Sequence, residues 1–181
     1  YGKVGDGINL SHLLVGSEGT LAYSSSITLK LSPLPSKKIM GVCHFPSFYE
    51  AMDAAQHIIT LNPVAVELVD DTMISLAHKI DMFKPTVEAV VNGNPKSLLL
   101  VEFAEEQIDE NHRRLKKLHQ LMGELGYSWN KTKKIGGVVD VIDDKLQSKV
   151  SEMRKSGLNI MMSMKNDAKP VSFIEDCAVE L

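Results

Sequence analysis

The chain has 181 residues, of which 44% are hydrophobic and 24% charged, and its formal net charge is -3. That size supports one domain, or one and part of a second, with a core that needs no staple to hold it. The charge balance excludes a broad basic field for nucleic acid, and no apolar run approaches the roughly 18 residues that cross a bilayer.

Two cysteines, Cys43 and Cys177, make no disulfide framework and read as packed thiols in a reducing compartment. The opening YGKVGDGINL has no charged-then-apolar leader, so a cytoplasmic location is expected. The chain lacks an initiating Met and stops on EDCAVEL, which reads as a piece of something longer.

In chain order, NLSHLLVG predicts a short helical segment, followed by the glycine loop GSEGT and a strand in SSSITLKLS, where Ile27, Leu29 and Leu31 alternate with Thr28 and Lys30. SPLPS stiffens the backbone and sets a domain boundary near Pro35. Beyond it, KKIMGVCHF reads as a strand and SFYEAMDAAQHIITL as a helix, with Ser47 as N-cap and Glu50 completing a capping-box pattern. A strand in VAVELV follows, then a helix opening at Asp70 or Asp71, a looser region around NGNPKS, and a strand in SLLLVEFA. Residues 107–125 form the clearest helix, with Ile108, Leu115, Leu118, Met122 and Leu125 on one stripe, the RR, KK and E residues facing away, and Gly126 as its stop. Residues 140–164 read as helical and KPVSFIEDCAV as a final strand. The β-α-β, β-α-β order points to an α+β fold: a ferredoxin-like antiparallel sheet with helices packed on one face.

Most of the chemistry-bearing residues have bland readings. GKVGDG precedes rather than follows a strand, so it is a surface turn and not a dinucleotide fingerprint. The six histidines show no HxH, HxxxH or HExxH spacing; His112 and His119 read as solvated helix residues, and no metal site is expected. Arg154 and Lys169 flank a stretch whose Met161, Met162 and Met164 read as core packing; either cation is able to clamp a carboxylate, but spacing alone favours solvated helix ends. GSEGT stands apart. Glycines on both sides of Ser17 and Glu18 permit φ > 0 and a close approach to bare main chain, as a cradle for phosphate or a polar ring edge requires.

The loop with its flanks, NLSHLLVGSEGTLAYSSSITLKLSPLP, closely resembles the end of the FAD-binding domain in FAD-linked oxidases of the D-lactate dehydrogenase, glycolate oxidase and D-2-hydroxyglutarate dehydrogenase type. VAVELVDDTMI, SLLLVEFAEE and RKSGLNIMMSMKNDAKPVSFIEDCAV extend the resemblance over nearly the whole chain, with Ala22 and Tyr23 standing where the family usually has Gly-Ile. The resemblance implies that residues 1–35 are a short remnant of the FAD-binding domain and residues 36–181 a truncated C-terminal cap, or substrate, domain. It implies Gly16, Ser17, Glu18, Gly19, Thr20 and Tyr23 as FAD contacts and Arg154 and Lys169 as substrate-binding cations, with no catalytic residue of its own. The expected activity of the full-length parent is oxidation of a small D-2-hydroxy acid by hydride transfer to flavin, with the electrons passed to an acceptor. A divalent metal and iron-sulfur clusters would come from segments outside this chain, and the chain alone is expected to be inactive. Two rivals stand beside this reading. One is a ferredoxin-like binding or regulatory module without redox activity, which has no need of the glycine loop. The other is an aryl-alcohol or sugar oxidase, disfavoured by 6% aromatics and the single Trp129.

Overall fold

The computed structural model describes residues 9–31, 34, 37–129 and 136–162. It divides into two units, residues 1–34 and 35–181. In the first, helix α1 (Ser11–Leu14) is a single turn opened by Asn9, whose Oδ1 accepts from the Ser11 backbone N–H (3.1 Å) and hydroxyl (2.7 Å). The strand expected in residues 24–32 is not formed over its described part, 24–31, where Ile27, Leu29 and Leu31 are exposed. Alternation supplies one apolar face, but a strand also needs a neighbour for its backbone N–H and C=O groups, and none of the described strands pairs with this segment.

The second unit is built on β1 (Ile39–Phe45), β2 (Ala65–Asp70), β3 (Ser97–Phe103) and β4 (Gly137–Val141), in the order β2-β3-β1-β4 with all three pairings antiparallel. This is the α+β, ferredoxin-like sheet expected. Its crossover helices, α2 (Phe48–Ile58) and α5 (Ile108–Glu124), pack on one face against Ile39, Cys43, Phe45, Val101 and Phe103. Burial pushes the Cys43 thiol far above its usual range, so it is inert packing. Contrary to the one-faced arrangement expected, the other face is covered as well, by α3 (Asp71–His78), α4 (Lys84–Val90), α6 (Asp144–Lys155) and α7 (Gly157–Met162). The reason lies in the central strand: all seven residues of β1 are buried, so apolar Met40 and Val42 on the second face also need cover.

The helix starts follow the side chains. Ser47 Oγ accepts from the Glu50 N–H (3.2 Å) and donates to Glu50 Oε2 (2.9 Å), while Asp70 and Asp143 accept from Met73 and Leu146 N–H groups, each at 2.8 Å. Gly126, at φ 96°, ends α5 as the Tyr127 N–H turns back to Met122 O. Two elements depart from expectation. Helix α4 lies just before the looser region around NGNPKS, where no element was expected, with Pro85 in its first turn where a missing N–H costs nothing. The segment from 140 begins not as helix but as the end of β4, because Val138, Val139 and Val141 pair with β1, and α6 starts only after the Asp143 cap. The final strand expected at 169–179 and Cys177 lie outside the described residues.

His44 is buried on β1, with Nδ1 2.9 Å from Val42 O and Nε2 accepting from the Asn92 N–H (3.0 Å), which fixes the neutral Nδ1–H tautomer. Trp129 packs edge-on against the ring at 5.0 Å. Burial lowers the His44 pKa below its ordinary 6.5. The unfolded chain therefore takes up this proton first, so the stability it governs is complete above pH 6.5 and declines as pH falls toward the folded-state value. A urea midpoint followed from pH 7.5 to 5.5 is expected to fall in the wild type and to stay flatter in His44→Gln; parallel profiles would refute the assignment.

Candidate functional site

The GSEGT loop follows α1 directly. Gly16 (φ 80°), Glu18 (φ 48°) and Gly19 (φ 78°) all adopt left-handed backbone. For Glu18 that conformation costs about 1 kcal/mol, and the flanking glycines avoid the same cost twice over. The loop is closed by Thr20, whose N–H (2.9 Å) and hydroxyl (2.6 Å) both donate to Ser17 O. The Thr20 proton is thus committed to the turn, and the side of the loop left open is the glycine side: a Cβ built on Gly16 or Gly19 would meet nothing within 4 Å. A groove of about 380 Å³ runs beside it, lined by Leu14, Ser17, Gly19, Ala22, Tyr23 and Ile27 among others. Tyr23 is 94% exposed, presenting a free ring at the groove's rim. Two bare glycines, a hydroxyl from Ser17 and an unstacked aromatic fit the edge of a planar, oxygen-bearing cofactor such as a flavin.

In the second unit, Arg154 sits near the end of α6, whose position is set by Gln147. The Gln147 amide donates to Lys38 O (3.0 Å) and Ile142 O (2.9 Å), tying the helix to the start of β1 and the exit of β4. Arg154 is not a solvated helix end. Its Nη1 lies 3.1 Å from Glu67 Oε2 on β2, with the two side chains 38% and 42% exposed. The pair separates two grooves on the second face of the sheet. One, of about 200 Å³, also has Lys38, Glu102, Ser151 and Lys155 on its walls, with Lys38 Nζ held 3.3 Å from Glu102. The other, of about 350 Å³, is lined largely by Phe48, Leu68, Val69, Met73 and Met161. Counting side-chain charges, the first groove holds three cations against two carboxylates, whereas the second holds Arg154 against Glu67 and Asp70. Of the two, the first groove suits an anion better and the second suits the apolar part of a ligand.

Met161 and the exposed Met162 border solvent rather than filling the core as expected. Lys169 and Met164 lie outside the described residues. His119, expected to be solvated, is half-exposed and pairs with Asp140 on β4 at 2.6 Å. Among the described residues no group of three or more His, Cys, Asp or Glu is arranged to hold a metal ion, and no helix is long and apolar enough to cross a membrane. Sequence reasoning missed Glu67, Lys38 and Lys155. The signal for Glu67 was present, since it is the single charge inside the otherwise apolar run VAVELV.

Residues 34–181 match the family model described as FAD linked oxidases, C-terminal domain. The chain is 29% identical over 178 residues to a D-2-hydroxyglutarate dehydrogenase of Pantoea ananatis, covering 94% of this chain and 17% of that protein. It is 30% identical over 175 residues to a D-2-hydroxyglutarate dehydrogenase of Haemophilus influenzae, with the same coverage of 94% and 17%. To a probable mitochondrial D-lactate dehydrogenase of Danio rerio it is 35% identical over 102 residues, which is 53% of this chain and 20% of that protein. The chain thus spans no more than a fifth of the length of these curated relatives.

Proposed function

The chain belongs to the FAD-linked oxidase C-terminal domain family, and from that premise we propose that the full-length protein carrying it oxidises a small D-2-hydroxy acid with FAD and passes the electrons to a separate acceptor. Residues 1–35 form the closing part of the flavin domain in this reading, and residues 36–181 the substrate domain. The observation that carries it is the kinship, over 94% of this chain, to proteins named as D-2-hydroxyglutarate dehydrogenases. The open glycine loop supports it from the chain's own geometry.

Gly16, Ser17, Glu18, Gly19, Thr20 and Tyr23 border the flavin, which when bound supplies the ring that accepts a hydride from the hydroxyl-bearing carbon. Arg154 receives the substrate carboxylate through its planar fork, and Lys169 supplies a second cation. In this reading the residues of this chain bind and orient, and the chain alone is expected to be inactive.

The test uses the full-length protein under anaerobic conditions, with D-lactate, D-2-hydroxyglutarate and their L-enantiomers. Bleaching of the flavin's visible absorption by a D-acid alone is the expected result. A purified full-length protein without bound flavin, or one that no 2-hydroxy acid bleaches, would overturn the reading. The isolated chain mixed with FAD is expected to give no tight, stoichiometric yellow complex.

A further inference from the structure

The second face of the sheet changes character along its length. Toward one end Val69 on β2 and Leu98 on β3 lie in the apolar core covered by helices. Toward the other, Glu67 and Glu102 occupy the same face, since both alternate with residues of the opposite core and Glu67 stands beside Leu100 in the register. A carboxylate on an otherwise apolar sheet face is costly unless it is paired. Glu102 is answered by Lys38 and Glu67 by Arg154.

The manner of the second pairing carries the inference. A guanidinium has five N–H donors in a rigid fork, and a carboxylate meeting it fully takes two of them side by side. Glu67 Oε2 lies 3.1 Å from Nη1, and among the described residues Arg154 has no other ion-pair partner. One carboxylate engages at most two of the five donors, so the guanidinium keeps donors for a second carboxylate in the groove of about 200 Å³ that it lines. We propose that Glu67 is a positioning residue, which holds the Arg154 guanidinium from the strand side so that its remaining donors are pre-set for the substrate carboxylate. This rests on the reading of Arg154 given above. A long side chain held in one orientation before binding loses less freedom when the ligand arrives, so the effect falls on affinity rather than on the chemical step.

The experiment compares Glu67→Ala, Glu67→Gln and Arg154→Ala with wild type in the full-length flavoprotein, measuring KM and kcat separately for the 2-hydroxy acid that bleaches the flavin, and urea midpoints alongside. Glu67→Ala is expected to raise KM about tenfold with kcat within about twofold. Glu67→Gln, which keeps the shape and removes the charge, is expected to raise it in the same direction by roughly threefold, and decides the matter should the alanine variant not fold. If Arg154→Ala raises KM and Glu67→Gln does not, the proposal falls while Arg154 keeps its role. A KM that drops on removing Glu67 would make the glutamate a competitor for Arg154 and overturns the proposal equally. Should Arg154→Ala leave KM unchanged, the reading of Arg154 itself fails and the proposal with it.

Discussion

Gly41→Val is expected to lower the stability of the chain by about 3 kcal/mol or more, a fall of roughly 1.5 M in the urea midpoint. Gly41 lies near the centre of β1, where Leu115 and Leu118 of α5 pack against it. A Cβ built there would stand 2.6 Å from Leu118 Cδ2, 3.0 Å from Leu115 Cδ1 and 3.1 Å from Val138 Cγ1. Leu118 is fully buried and Leu115 nearly so, leaving no solvent route by which either can yield. The valine adds two further methyl groups, so α5 must lift from the strand and expose the Leu115, Leu118 and Met122 stripe. Gly41→Ala, with one methyl, is expected to cost about half as much. Unchanged midpoints in both would show that α5 does not sit on β1 as described.

The second large effect is expected at Arg114, which the helical pattern placed on the solvated side of α5. It is instead 19% exposed and works as a clamp. Its Nη2 lies 2.8 Å from Glu105 Oε1, its Nε donates to Glu110 Oε1 at 3.1 Å, and its Nη1 donates to Asn62 O at 2.6 Å. Asn62 is the left-handed residue (φ 52°) that closes the 3-10 turn at the end of α2, so the guanidinium satisfies carbonyl oxygen where that helix runs out. Arg113 and Arg114 together hold the Glu110 carboxyl down to a pKa of about 2. Arg114→Ala removes charged hydrogen bonds to a half-enclosed helix end, and a loss of about 2–3 kcal/mol is expected. Arg114→Lys, which keeps charge but not the fork, is expected to recover less than half of it. A loss below about 0.5 kcal/mol for the alanine variant would return Arg114 to the class of ordinary surface pairs.

Where one residue's chemistry decides the local structure, the sequence was readable. Ser47 and Asp70 start their helices as their hydroxyl and carboxylate oxygens require, and the stripe Leu115, Leu118, Met122 places α5 on the core. Where the outcome depends on a distant partner, it was not. Residues 24–31 alternate as a strand should, yet have no described neighbour, while Val138 to Val141 became a strand only because β1 offered its second edge. The second layer of helices was hidden because an apolar run such as IMGVC reads the same whether one face is covered or both. The glycine loop was legible because its backbone demands are local, and its φ values follow from Gly16 and Gly19 themselves. Arg154 was singled out only through resemblance, since its ion pair with Glu67, far from it in sequence, forms only once α6 has docked on the sheet.

The uneven second face of the sheet also bears on how such a protein changes over generations. The end bearing Val69 and Leu98 is locked under α3 and α4, so replacements there threaten the fold itself. The end bearing Lys38, Glu67, Glu102 and Lys155 borders open grooves, and most exchanges there leave the buried layer intact. A lineage is free to change the side chains that border the grooves at one end of a strand while the other keeps the domain standing, and new surface chemistry arises without first requiring a sturdier scaffold.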